Sequence, residues 1–224
     1  MSNEIHLSEL LSIMENNSKK NNSIRNNTKH LSELSICGLK YRDKMDNDKM
    51  IPFNVNFYLG NAFEFLIVNE LKKIYGTDVE TQKILQYRYG DLEFIGHCDI
   101  YIHSSNLIYE LKVSMSYKGD YTDIYLRQLK AYLIANNSNK GYLWVYYPIK
   151  KQYKEIEVNE ITTEDINNFH KNLMAFKENK YIDGIENSLC ELCDTNYCAY
   201  KNKLTVKEYK KQMNEIYGNT LKEK

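Results

Sequence analysis

No apolar run in this sequence approaches the roughly 18–20 residues that a membrane-spanning helix needs. Its first residues, with Glu4, Ser8 and Glu9, lack the charged and apolar regions of a signal peptide. The expectation is a soluble, cytoplasmic protein. Net charge is absent too, because lysine plus arginine and aspartate plus glutamate both number 30. That excludes a global basic field, so a nucleic-acid partner would be engaged through local patches. Proline and glycine are scarce, at two and nine, while Asn, Lys, Ile and Tyr abound. That bias reflects AT-rich coding more than function. Cysteine is odd in number, at five, and a reducing compartment disfavours disulfides. No internal repeat is present. The 224 residues suit one domain with a real core and small additions.

What is present centres on Ile95 to Ser114. Two stretches rich in β-branched and aromatic residues flank Ser104-Ser105, which predicts a β-hairpin. A turn centred between the serines sets opposite each other the positions that sum to 209, so Asp99 faces Glu110. Directly opposed Cβ atoms lie about 4.5–5.5 Å apart, within reach of one divalent cation. Lys112 falls on the same face as Glu110, with His97 opposite it. Cys98, Ile100, Ile102, Leu107, Tyr109, Leu111 and Val113 fall on the other. This predicts a strand pair with only one side against the core. The plain explanation of the three charges is a solvated face with a cross-strand salt bridge. The chemical one is a hydrolytic centre for phosphodiesters. There, carboxylates hold Mg²⁺ or Mn²⁺, which prefer oxygen ligands. The lysine orients water or offsets charge on a phosphate.

Taken in order, Ile5 to Met14 has near-helical apolar spacing, and Asn16 to Asn27 reads as a loop or mobile linker. Thr28 can cap a helix running to about Ile36. Asp43 to Met50 is charged and expected to be exposed. Val55 to Tyr75 is the strongest helix, with an apolar stripe through Phe57 or Tyr58, Ala62, Phe65, Leu66 and Leu71, and Gly76 as its stop. Glu64 lies inside this helix, four residues after Gly60, as a candidate third metal ligand. Strands are expected over Val79–Tyr89, Leu92–His103, Asn106–Ser114, Gly141–Tyr147 and Tyr153–Val158. Helices are expected over Asp120–Asn136 and from a Thr162 or Thr163 cap to about Lys177. Tyr121, Tyr125, Gln128 and Tyr132 form one stripe on the first of these. The tyrosines could stack on unpaired bases or simply be buried. Three strands, a helix and a returning strand define an α/β class with a mixed sheet flanked by helices.

Four cysteines remain to be placed. Cys37 stands alone, and Cys190, Cys193 and Cys198 form a C-x-x-C-x-x-x-x-C group. Four thiolates suit tetrahedral zinc or an iron–sulfur cluster equally well on physical grounds. Cys98 reads as a small apolar filler. A lysine-rich stretch follows, with Lys201, Lys203, Lys207, Lys210 and Lys211, able to track a phosphate backbone or to form a solvated face.

The order helix–strand–strand–strand–helix–strand, with Gly96-x-x-Asp99, Glu110-x-Lys112 and Gln128-x-x-x-Tyr132, resembles the PD-(D/E)xK nucleases of RecB type. One early and three late cysteines are similar to the iron–sulfur branch of that group. That branch includes the CRISPR-associated protein four exonucleases, their viral relatives and the nuclease part of AddB-type helicase–nucleases. The resemblance covers about Ser32 to Tyr200. It implies a restriction-endonuclease-like sheet with a C-terminal four-cysteine iron–sulfur staple. The expected divisions are an N-terminal helix and linker over 1–30, a nuclease core over 31–180 and a cluster segment with a C-terminal helix over 181–224.

The resemblance implies that Asp99, Glu110 and Lys112 are catalytic, that Glu64, Asp99 and Glu110 are metal ligands, and that Gln128 and Tyr132 support the site and touch DNA. By it, Cys37, Cys190, Cys193 and Cys198 hold a 4Fe-4S cluster, with zinc the alternative. The implied activity is a Mn²⁺- or Mg²⁺-dependent exonuclease on single-stranded DNA ends. CRISPR integration proteins are potential partners, and a homo-oligomer is compatible with the sequence. A viral or recombination-repair nuclease, or a DNA-binding module with a weak site, would carry the same motifs. The chain departs from the RecB-type pattern at Glu64, where a histidine usually stands.

Overall fold

The computed structural model describes residues 28–46, 56–114 and 122–178, together with Asn187 and Cys190. The expected N-terminal helix at 5–14, Tyr121, Cys193, Cys198 and the lysine-rich stretch after 200 lie outside the described residues. Helices α1 (Leu31–Ile36), α2 (Gly38–Asp46) and α3 (Asn56–Tyr75) come first. Strands β1 (Val79–Tyr89), β2 (Leu92–Ile102) and β3 (Leu107–Val113) follow. Then come α4 (Thr122–Ala135), β4 (Gly141–Tyr147), β5 (Gln152–Val158) and α5 (Thr163–Glu178). The five strands lie in sequence order in one sheet. Only β3 and β4 run parallel, as a returning strand after a helical crossover requires.

Local signals account for these elements. Gly76 ends α3 with φ +59° and Gly90 turns β1 into β2 with φ +60°, both left-handed backbone that glycine adopts without penalty. At the start of α5 the Thr162 hydroxyl accepts from the Asp165 N–H at 3.2 Å. The Asp165 carboxylate in turn accepts from the Thr162 N–H at 3.1 Å, which makes a reciprocal cap. The expected Thr28 cap is absent. His30 precedes α1 without a capping side chain, and the Thr28 carbonyl instead accepts from the Tyr41 hydroxyl.

Helices cover both sheet faces. On one side α1, α2, α4 and α5 pack Leu31, Leu34, Tyr41, Leu129, Leu133, Leu173 and Phe176 against Phe94, Ile108, Leu143 and Val145. Each fully buried side chain of this size contributes about 1.5–3 kcal/mol, so this side dominates the stability. On the other side α3 sets Val68, Ile67 and Leu71 against Val79, Ile100, Ile102 and Leu111. The hairpin is therefore buried on two sides, not one. The α3 stripe also differs from the sequence reading, since Phe65 and Leu66 are 64% and 63% exposed. α3 is apolar over much of its circumference, and only the sheet selects its inner face.

One local feature shapes the site. The β1–β2 ladder pairs Thr81 with Ile100 and Lys83 with Cys98 but skips Gln82 and Asp99. Gln82 has φ +52°, left-handed for a residue that carries a Cβ. The two-residue alternation breaks there. Phe94 and Cys98 face the α4 side, whereas Ile100 and Ile102, of the same parity, face α3. Val79 and Leu85 divide in the same way. The inversion separates Cys98 from Ile100 and removes His97 from the face of Lys112, leaving it exposed next to Ile84.

Candidate active site

The hairpin register pairs Ile100 with Tyr109 and Ile102 with Leu107, the sum of 209 read from the turn. The β2–β3 ladder stops at Ile100. In place of the next rung, Asp99 Oδ2 accepts the Leu111 N–H at 2.7 Å. From there β2 departs from β3. Its freed edge is taken by the segment before α1, where the Ile95 N–H donates to the Lys29 carbonyl at 2.8 Å. The site lies in the fork between these strands.

Glu110 projects from β3 towards α4 and is only 1% exposed. Its Oε1 accepts from Lys112 Nζ and from Gln128 Nε2 at 2.6 Å. Gln128 Nε2 also lies 3.0 Å from the Tyr132 hydroxyl. The remaining oxygen, Glu110 Oε2, is buried with no hydrogen-bond partner among the described residues. Orphaned buried acceptors are rare and costly. An oxygen held in that state is a natural ligand for a cation. Glu64 reaches the fork from α3. Its Oε1 accepts from Gln82 Nε2 at 2.5 Å, and the same amide nitrogen lies 3.3 Å from Asp99 Oδ1.

Gly96 explains its own place in the Gly96-x-x-Asp99 motif. A Cβ there would lie 2.7 Å from the Tyr132 ring and 3.1 Å from Leu31. Any side chain would push Tyr132, and with it Gln128, away from Glu110. The spacing Gln128-x-x-x-Tyr132 puts both side chains on one face of α4, and that face meets the fork.

The electrostatics agree with the geometry. Burial, then the neighbouring Asp99, pushes Glu110 up to about 8. Burial also raises Asp99, and burial with the Asp99 charge raises Glu64. Burial alone would lower Lys112, but Glu110 and Asp99 outweigh it and keep the ammonium charged. Three carboxylates thus disfavour one another's ionisation in a confined space, which one divalent cation would relieve. Among the described residues no three or more His, Cys, Asp or Glu side chains close in tightly enough to hold a metal ion. The Gln82 amide stands between Glu64 and Asp99 instead.

A stability prediction follows. The raised carboxylates bind more protons in the folded than in the unfolded state between about pH 4.5 and about 8. Stability of the cation-free protein therefore falls as pH rises through that window. Calorimetry in chelator should give a lower melting temperature at roughly pH 8 than at roughly pH 5. A rising melting temperature across this range would mean that the carboxylates are not buried together.

The structure thus gathers Glu64, Asp99, Glu110, Lys112, Gln128 and Tyr132 at one fork. Sequence reasoning did not single out Gln82. Its signal was faint: it is the residue whose number sums to 181 with Asp99 in the β1–β2 register. The four cysteines are described only in part. Cys37 is buried at the α1–α2 junction. The Asn187 side chain donates to the Ile36 carbonyl at 3.1 Å, and the Cys190 N–H donates to the Asn187 carbonyl at 3.0 Å. Asn187 therefore docks on the carbonyl that precedes Cys37 in the chain, and its N–H donates to Cys190 Sγ at 3.3 Å.

No protein-family model and no curated protein matches the chain. Solved structures do share its fold. The protein SSO0001 aligns at TM-score 0.56 and 21% identity, over 75% of this chain and 83% of that one. The alkaline exonuclease LHK-Exo from Laribacter hongkongensis aligns at TM-score 0.52 and 13% identity, over 71% of this chain and 91% of that one. The same enzyme in complex with dAMP aligns at TM-score 0.52 and 12% identity. The architecture is therefore a mixed-sheet α/β fold shared with these solved structures.

Proposed function

We propose that this protein is a metal-dependent DNA exonuclease acting on single-stranded ends. The observation that carries this reading is the buried, unpartnered Glu110 Oε2 beside Asp99, Glu64 and Lys112. The all-oxygen donor set fits Mg²⁺ or Mn²⁺, with Glu64, Asp99 and Glu110 as ligands. Such an ion, when bound, polarises the scissile phosphate and makes a bound water more acidic. Lys112, kept charged by its neighbours, orients the attacking water or offsets charge growing on the phosphate. Asp99 is fixed by the Leu111 N–H, and Glu110 by Gln128, which Tyr132 positions in turn. The fold shared with an exonuclease supports the reading.

A second reading is a DNA-binding or complex-forming module with a weak or inactive site. Glu64 in place of the family's histidine favours it, as does the Gln82 amide between two carboxylates. Release of label from end-labelled single-stranded DNA in Mn²⁺, abolished by EDTA, is the result expected of the nuclease. Retention of DNA without release would leave the binding module. Spacer processing with CRISPR integration proteins and a viral or repair role share this chemistry, and neighbouring genes separate them.

Cys37, Cys190, Cys193 and Cys198 would hold a 4Fe-4S cluster that joins α1 to the C-terminal segment. The docking of Asn187, which is bonded to Cys190, on the Ile36 carbonyl next to Cys37 in the chain supports a shared ligand set. Anaerobically purified protein is expected to be brown and to contain iron. Colourless protein containing zinc would assign zinc instead.

A further inference from the structure

Gln82 combines three features that a solvated strand residue lacks. Its backbone has φ +52°, which non-glycine residues rarely adopt and which clusters at functional sites. It interrupts the ladder opposite Asp99. Its amide nitrogen lies 2.5 Å from Glu64 Oε1 and 3.3 Å from Asp99 Oδ1, as a neutral bridge between two carboxylates. The side chain also borders an open cleft of about 500 Å³ lined by Glu64, Asn61 and Lys72, so it has room to turn.

We propose that Gln82 is a further member of the metal centre, bridging Glu64 and Asp99 through its amide nitrogen when no cation is present and presenting its carbonyl oxygen to a divalent cation when one is bound. The inference rests on the proposed metal-dependent function and deepens it. Three facts carry it. A side-chain amide has a donor end and an acceptor end on one rotatable bond. Glutamine carbonyls are accepted ligands of hard divalent ions. Glu110 Oε2 is buried with no hydrogen-bond partner among the described residues, so one carboxylate oxygen of the pocket stays unmatched even with Lys112 and the amide in place.

Titration calorimetry with Mn²⁺ in the absence of DNA tests the proposal on wild type, Gln82→Gly, Gln82→Glu and Glu110→Gln. Glycine adopts this φ without strain, so its variant keeps the strand geometry. Gln82→Gly should weaken Mn²⁺ binding about tenfold, the effect usual for losing a supporting group at a metal site. Gln82→Glu should bind Mn²⁺ at least as tightly as wild type. It should also melt lower than wild type in chelator and recover in Mn²⁺, because it adds a fourth carboxylate. Unchanged or tighter Mn²⁺ binding by Gln82→Gly overturns the proposal. If wild type binds Mn²⁺ and Glu110→Gln does not, such a result leaves the metal-dependent reading standing. Failure of wild type to bind Mn²⁺ overturns both.

Discussion

Lys112→Ala should lower the rate of Mn²⁺-dependent release from end-labelled single-stranded DNA by about 10²–10³-fold, the usual loss when one preorganised charge-stabilising donor is removed. The fold should survive. The Lys112 side chain retains 22% exposure, and Glu110 keeps its bond to Gln128 after the change. What is lost is the one cation, among the described residues, that acts on all three carboxylates. Substrate retention by DNA-binding assay should change far less than the rate, because one ammonium supplies at most one of the several phosphate contacts that set backbone affinity. Equal cleavage by wild type and variant would remove Lys112, and with it the catalytic assignment of the Glu110-x-Lys112 pair.

The second large effect is on stability. Gly38→Ala should destabilise the protein by about 3 kcal/mol or more, since overpacking combines with broken buried hydrogen bonds. A Cβ on Gly38 would lie 1.8 Å from the Asn172 carbonyl oxygen, a backbone atom of α5 that cannot yield cheaply. Asn172 is 2% exposed. Its side chain accepts the Gly38 N–H at 3.0 Å and donates to the Ser35 carbonyl at 3.1 Å, spanning the α1–α2 break. An alanine would force α5 outward and break both bonds. Gly60→Ala is the contrast, because nothing lies within 4 Å of its added Cβ. In a helix interior that exchange should stabilise by about 0.5–1 kcal/mol. Urea midpoints of the two variants should therefore move in opposite directions. A small shift for Gly38→Ala would show that α5 does not press on this junction. The junction lies next to Cys37, so the same variant should also loosen the cysteine group proposed to join α1 to the C-terminal segment.

Much of the candidate site was legible because its signals are local. Ser104-Ser105 between two β-rich runs set the register, which pairs Ile100 with Tyr109 and so carries Asp99 to the end of the ladder, where its carboxylate takes the Leu111 N–H. Gln128 and Tyr132 share a helix face by spacing. The strand and helix boundaries followed from Gly76, Gly90 and the Thr162 cap. What could not be read depended on packing. A two-residue alternation cannot reveal that the backbone inverts at Gln82, so His97 was set on the wrong face and Cys98 beside Ile100.

Sequence by itself determined the order of elements, the pairing of the hairpin and the gathering of two carboxylates with a lysine, because turns, caps and periodicity act over a few residues. Tertiary structure decided which side of α3 turns inward, that Glu110 is sealed with one oxygen unmatched, and that an amide stands between Glu64 and Asp99. Those outcomes depend on contacts between segments far apart in the chain: α3 resting on the sheet, α4 filling the fork, and β2 parting from β3 where the Asp99 carboxylate replaces a rung of the ladder.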